Sequence, residues 1–260
     1  MLNIAVRAAR QAGNIIIRNV DRVDTLEVSL KGRQDYVTSV DRAAEAAIIQ
    51  TIHKAYPEHA FEAEESGMSA NAETSDYVWV IDPLDGTMNF LHGYPQFCVS
   101  IALKVKGVVE HGVVFDPMRN ELFEASRGSG AQLDGRKIRV SKVSKLENAL
   151  IATGFPVRQP DKLPAFMQTF ERVLGQCAGI RRAGAAALDL AYVACGRLDG
   201  YWELGLQPWD VAAGGLLVEE AGGMFSCDDM KRGSPTGLSV MAAAPNLFDN
   251  LQRITNPSGR

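Results

Sequence analysis

The acids at the ends of this chain's apolar runs are of the kind that could hold a hard cation. In WVIDPLDGTMNF (79–90) an apolar run ends at Asp82, and Pro83, Leu84 and Asp85-Gly86-Thr87 follow. In FEAEES (61–66), Glu62, Glu64 and Glu65 precede a stretch rich in glycine, serine and asparagine. PWD sets Asp210 in the first turn of a helix after Pro208, and Asp41 opens another helix. Each acid also has an ordinary structural use. Asp85-Gly86 is a strong turn signal, Asp41 and Asp210 suit the positive end of a helix dipole, and the glutamates suit a solvated face. If Glu64, Asp82, Asp85 and Asp210 met in one cleft they would repel, at about 4 kcal/mol for a pair ~4 Å apart in an effective dielectric of ~20. Bound cations would offset that cost, and oxygen-only ligands select Mg²⁺ over zinc. Spacing does not prove that they meet, because Asp82 and Asp210 lie far apart in the chain.

The elements that must position these acids follow from periodicity. Residues 1–20 read as an amphipathic helix with Ala5, Ala8, Ala9 and Ala12 on one face. Residues 41–56 read as a second, with Ala44, Ala47, Ile48, Ile52 and Ala55 in one stripe and Pro57 as the stop. A strand-rich block follows. It has strands at 77–82, 97–105 and 108–115, with Lys106-Gly107 as a hairpin turn, and continues through 121–126 and the Asp134-Gly135 turn. Consecutive hairpins predict an antiparallel sheet. After about residue 145 the pattern alternates: a strand at 149–154, a helix over 161–177 and a helix in AAALDLAYVACGR. A strand at 200–204, a helix from near Trp209, a strand at 238–243 and a last helix from about 246 complete it. Alternation of this kind predicts a sheet covered by helices. Two packed subdomains are expected, 1–145 and 146–260, with the site between them.

Composition narrows the function classes. The chain has 260 residues, 46% hydrophobic and 22% charged, with a formal net charge of −4. That is a globular balance. Arg136-Lys137 with Arg139, and Arg181-Arg182, are the nearest things to a basic track, and no direct nucleic-acid site is evident. No apolar window is long enough to span a membrane. Arg7 and Arg10 interrupt the N-terminal apolar pattern, unlike a secretory signal. The four cysteines form no CxxC pair and the four histidines no zinc spacing. Reduced thiols in a cytoplasmic protein are expected.

WVIDPLDGTMNF, EES (64–66) and WDVAAGG (209–215) together resemble the signatures of the inositol monophosphatase family, lithium-sensitive Mg²⁺-dependent phosphomonoesterases. DYVTSVD (35–41) and RRAGAAALDLAYVACGRLDGYWELGLQPWD (181–210) extend the likeness over nearly the whole chain. The resemblance implies an α+β fold, a layered αβαβα sandwich shared with fructose-1,6-bisphosphatase, usually as a homodimer. It implies a hydrolase that cleaves myo-inositol monophosphate, a small phosphate ester, with metal-activated water and two or three Mg²⁺ ions. Glu64, Asp82, the Leu84 carbonyl, Asp85 and Asp210 would be the metal ligands. Asp41, Thr87 and Glu64 would serve catalysis, with Asp41 accepting a hydrogen bond from Thr87, whose hydroxyl orients the attacking water. Gly86 and Thr87 would meet the phosphate, and Glu203 and the backbone at Ala186 the inositol, next to Asp85 and Asp210. Met88, Ala63 and Ala185 depart from the family pattern, where Thr or Ser, Gly, and Ser or Thr are usual; none removes an implied ligand. The alternatives are a related sugar phosphatase or nucleotide 3′-phosphatase, or a binding role with the transcription and ribosomal-RNA machinery, to which bacterial relatives are linked.

Overall fold

The computed structural model describes residues 1–25, 28–32, 35–157, 159–227 and 238–255. Its first half runs α1 (Leu2–Asn19), β1 (Val28–Gly32), β2 (Asp35–Thr38), α2 (Ser39–Ala55), β3 (Ala60–Ala63), β4 (Gly67–Met68), β5 (Tyr77–Asp85), α3 (Thr87–Leu91), β6 (Cys98–Val105), β7 (Val108–Asp116), β8 (Glu121–Ser126), β9 (Gly130–Leu133) and β10 (Arg136–Lys137). The second half runs β11 (Leu150–Thr153), α4 (Leu163–Leu174), β12 (Gly179–Arg181), α5 (Ala186–Ala194), β13 (Gly200–Leu206), α6 (Pro208–Glu220), β14 (Met224–Cys227), β15 (Leu238–Ala243) and α7 (Pro245–Thr255).

Two large sheets result, with strand orders β10-β9-β8-β7-β6-β5-β3-β4 and β12-β11-β13-β15-β14. The run from β5 to β10 is antiparallel, as its hairpins predict, but β3 lies parallel to β5. Lys106-Gly107 and Asp134-Gly135 turn with both residues at positive φ, between 49° and 83°. That is the primed-turn geometry that matches strand twist.

Alternation along the strands sorts side chains into layers. Trp79 and Ile81 of β5, with Val113 and Phe115 of β7, pack against Ala5, Ala8, Ala12 and Ile16 of α1 and Ile48 and Ile52 of α2. Val80 and Val114 face the other way, into a core shared with Leu190 of α5, Ala213 and Leu217 of α6, and Tyr201, Val240 and Ala242 of the second sheet. The outer face of that second sheet packs Trp202 and Met241 against Phe166 and Val173 of α4 and Leu247, Phe248 and Leu251 of α7. The stack is therefore α1/α2, sheet, α5/α6, sheet, α4/α7: the αβαβα sandwich. No helix among the described residues is long and apolar enough to cross a membrane.

The differences from the sequence reading are local. β1, β2, β3, β4, β12, β14 and α3 had no counterpart there, each having at most five residues. Segments so short carry too few residues for periodicity to register. Helix α2 starts two residues before Asp41, and β5 continues past Asp82 to Asp85. Glu62, read as part of a solvated face, is buried and paired with Lys104 at 3.1 Å. Of the four cysteines, Cys98 is buried and the other three are half-buried.

The closeness of α6 to the first sheet depends on Gly112. A Cβ there would stand 2.9 Å from the Ala213 carbonyl oxygen and 3.1 Å from its Cα, and backbone cannot swing aside. Gly112→Ala should cost about 1–3 kcal/mol as overpacking, lowering Tm by about 2–4 °C per kcal/mol for a chain of this size. Thermal melts of the two proteins in chelator check this.

Candidate active site

The three-residue spacing of Asp82 and Asp85 has a geometric cause. Asp82 pairs with Ser100, but Asp85 pairs with Cys98, so β5 holds one residue more than β6 between those points. Without that bulge, Asp82 and Asp85 would point to opposite faces of the sheet. With it, Leu84 packs into the α1/α2 core, and both aspartates face the α5/α6 layer. Asp82 Oδ1 accepts the Leu84 amide at 3.0 Å, which ties the bulge. Asp85 Oδ2 accepts the Ala187 amide at 2.8 Å. Ala185 is the N-cap of α5 and has no capping side chain, so Asp85 supplies the missing acceptor from another sheet.

Glu64 and Asp210 reach the same cleft from different elements. Glu64 follows β3, where its amide bonds to the Ile81 carbonyl at 3.1 Å. The turn beyond it is held by Glu45 of α2, whose carboxylate accepts the amides of Glu65 and Ser66 at 2.8 Å each. Asp210 sits in the first turn of α6 and accepts the Gln207 amide at 2.7 Å, one half of a capping box. Glu64, Asp82, Leu84, Asp85, Gly86, Thr87, Ala186, Glu203 and Asp210 all line one cleft of about 390 Å³. The expected acids therefore line one cleft, although both halves of the chain contribute them.

Their electrostatics mark the cleft. Burial pushes the Asp82 carboxyl well above its ordinary range, and the nearby charges of Glu64, Asp85 and Asp210 add to the effect, as does a hydrogen bond with Glu64. Burial likewise raises Asp85, reinforced by Asp210 and opposed by the Ala187 amide. Among the described residues, no three His, Cys, Asp or Glu side chains are drawn together closely enough to hold an ion as they stand. Asp82, Asp85 and Asp210 are each engaged by a backbone amide. The donor chemistry nevertheless fits one class of ion. Four carboxylates and the Leu84 carbonyl are hard oxygen donors, and their mutual repulsion is what a divalent cation such as Mg²⁺ offsets.

Asp41 holds a second position in the site. It is buried at the start of α2, where Thr38 is the N-cap and Asp41 completes the capping box. Its Oδ2 accepts both the amide and the hydroxyl of Thr38, at 2.9 and 2.5 Å. Its Oδ1 faces the Thr87 hydroxyl at 3.0 Å, and that hydroxyl also lies 3.1 Å from the Leu84 carbonyl. The helix-start and Thr87-partner readings of Asp41 are thus both true, one on each oxygen. Gly86, before Thr87, has φ +95°, and a Cβ there would meet the Gln96 carbonyl at 2.9 Å.

Ala186 and Glu203 also line the cleft, and residues that sequence reasoning missed lie beside them. Tyr201, two residues before Glu203 on β13, donates its hydroxyl to Glu203 Oε2 at 2.5 Å. Arg182, an exposed cation, lines the cleft with its guanidinium 5.4 Å from the Phe155 ring centre. The Asn89 amide bridges the carbonyls of Gln96 and Ala183 at 2.6 and 2.8 Å, joining α3 to the approach to α5. Only Glu45 left a sequence signal, a charge beside the apolar stripe of α2. Of the departures, Met88 lines the cleft, whereas Ala185 and Ala63 are buried.

Residues 1–256 match the inositol monophosphatase family. The chain belongs to that family. A family relative, Nus factor SuhB of Pseudomonas aeruginosa, is 58% identical over 229 residues, covering 87% of this chain and 84% of its own. The crystal structure of the extragenic suppressor protein suhB from Bartonella henselae superposes with a TM-score of 0.92 at 43% identity, over 98% of this chain and 97% of that one. A more distant inositol monophosphatase, an IMPase/NADP phosphatase complexed with Mg²⁺ and phosphate, gives 0.80 at 25% identity, over 96% and 92%.

The raised carboxyls set a pH dependence. In the folded, metal-free protein Asp82 and Asp85 hold protons that the unfolded chain releases above its ordinary value of 3.8. The folded state then binds more protons than the unfolded one, so stability falls as pH rises from that value. Mg²⁺ needs the deprotonated carboxylates, so its stabilisation should grow over the same range. Denaturation from about pH 4 to 8, in chelator and in Mg²⁺, should give opposite trends for the difference between wild type and Asp82→Asn.

Proposed function

We propose that this chain is a cytoplasmic Mg²⁺-dependent phosphomonoesterase that releases phosphate from myo-inositol monophosphates. The observation that carries the reading is the Thr87 hydroxyl: it is tied to buried Asp41 in the same cleft as Glu64, Asp82, Asp85 and Asp210. Those four carboxylates and the Leu84 carbonyl would hold two or three ions. When bound, Mg²⁺ supplies a Lewis acid for the phosphoryl oxygens and charge neutralisation at the leaving oxygen.

The chain's own residues do the positioning. The Thr87 hydroxyl has one proton and two neighbouring acceptors, Asp41 and the Leu84 carbonyl. With that proton committed, its oxygen lone pairs accept from a water and aim it at phosphorus. Burial raises the Asp41 carboxyl, but its hydrogen bonds from Thr38 and Thr87 favour the ionised form. Glycine at 86 keeps the backbone bare where the phosphate approaches; Glu203 would accept from the inositol hydroxyls, and the Ala186 amide at the start of α5 would donate to one. Family membership and the Mg²⁺- and phosphate-bound relative support this reading.

A second reading rests on the Pseudomonas relative, which is named a Nus factor. In it the protein binds a component of the transcription or ribosomal-RNA machinery, in addition to or instead of turning over phosphate esters. Complementation by Asp82→Ala separates the two: loss of the in vivo role ties it to the metal site, and retention assigns it to a surface.

A phosphate-release panel over inositol phosphates, sugar phosphates and 3′-phosphoadenosine compounds, with and without Mg²⁺, tests the main reading. Wild type should favour inositol phosphates and be inhibited by lithium. Asp82→Asn should lose about 10²–10³-fold or more in kcat, the scale of losing a major electrostatic element. Near-wild-type turnover in that variant would remove Asp82 from the metal site. Thr87→Ala should lower kcat with KM little changed. Asp41→Asn should do the same without adding to it, since the pair acts through one hydrogen bond; additive losses would mean that they act separately.

A further inference from the structure

We infer that Gly154 is a specificity-determining residue, which sets the position of the Glu203 carboxylate by having no side chain. The inference rests on the reading of Glu203 as the contact for the substrate's alcohol half. Strands β11 and β13 run parallel with Thr153 opposite Trp202. The Thr153 hydroxyl donates to the Trp202 carbonyl at 2.7 Å and fixes that register at the end of β11. The next residues along, Gly154 and Glu203, therefore lie side by side where the sheet opens into the cleft.

Two surfaces confine the Glu203 carboxylate. On one side the hydroxyl of fully buried Tyr201 donates to Oε2 at 2.5 Å. On the other is the bare backbone of Gly154. A Cβ built there would overlap the Glu203 carboxyl carbon and both its oxygens, and these are the three atoms nearest to it. Gly154 is not required for its backbone conformation, because its φ lies outside the left-handed region that favours glycine. What remains is the room it leaves for Glu203.

The clash would fall on the far end of a flexible side chain. Gly154→Ala should therefore spare the fold and swing Glu203 away from Tyr201. The consequence is selective. An ester whose alcohol carries several hydroxyls would lose its partner, and one without them would not.

The experiment compares wild type, Gly154→Ala and the double variant Gly154→Ala with Glu203→Asp, in saturating Mg²⁺, on myo-inositol 1-phosphate and p-nitrophenyl phosphate. Gly154→Ala should raise KM for inositol phosphate about tenfold and leave kcat/KM for the nitrophenyl ester unchanged. The double variant should recover part of the KM, because the aspartate is one methylene shorter and leaves room for the methyl. An unchanged KM for inositol phosphate overturns the inference, and so does an equal loss on both substrates, which would be damage to the fold. If wild type hydrolyses neither ester, the phosphatase reading falls instead, and a crystal structure of Gly154→Ala decides the geometry. Glu203 displaced from Tyr201 supports the inference, and Glu203 unmoved overturns it.

Discussion

Like charges brought into a partly buried cleft dominate the architecture of this protein. Asp82 and Asp85 are pushed towards their neutral forms by burial and by neighbouring acids, and Glu64 and Asp210 face them. A fold assembles such a group only if each member is held by something stronger than its repulsion from the others. Here the restraints are amides. Asp82 takes Leu84, Asp85 takes Ala187, Asp210 takes Gln207, and the turn beyond Glu64 is held through Glu45. When a cation offsets the repulsion and these carboxylates ionise, such bonds become charge-assisted and roughly twice as strong as neutral ones.

Those restraints also join the layers. Asp85 lies on the first sheet but caps a helix of the central layer, and Asp210 caps the helix that packs against both sheets. Asp41 completes the cap of α2 with one oxygen and faces Thr87 with the other. Asp41, Asp85 and Asp210 thus double as helix-start acceptors. This is why they stay rigid although loops and strand ends carry them.

The sequence made the long elements readable, because α1, α2, β5 through β8 and α6 have enough residues for their period to register. Asp82, Asp85 and Asp210 could be singled out because each stood where a strand or helix changed character. Their convergence could not be read from spacing, and only the family likeness brought them together. The rest was hidden for physical reasons. The bulge in β5 is a register relation with β6, so no window along one strand contains it. Glu45 and Asn89 act through backbone groups distant in sequence, and the closeness of Gly154 to Glu203 exists only once β11 and β13 are paired. Glu62 misled because its partner, Lys104, lies on a strand two places away in the sheet.

The bulge also bears on how such proteins diverge. With three-residue spacing, the bulge between Asp82 and Asp85 decides whether the second acid faces the cleft or the α1/α2 core. Deleting Leu84 would leave an uninterrupted strand with both aspartates still on one face, but it would empty the Leu84 position in the α1/α2 core and remove the carbonyl beside the Thr87 hydroxyl, so the lesion would be severe. Replacing either aspartate in place would leave the pairing of β5 with β6 intact and silence the chemistry. This scaffold is therefore tolerant of losing its reaction by substitution and intolerant of losing it by deletion. A descendant that kept its partners and gave up its substrate would be expected to retain the full length of the β5 bulge, with the acids worn away and the kink preserved.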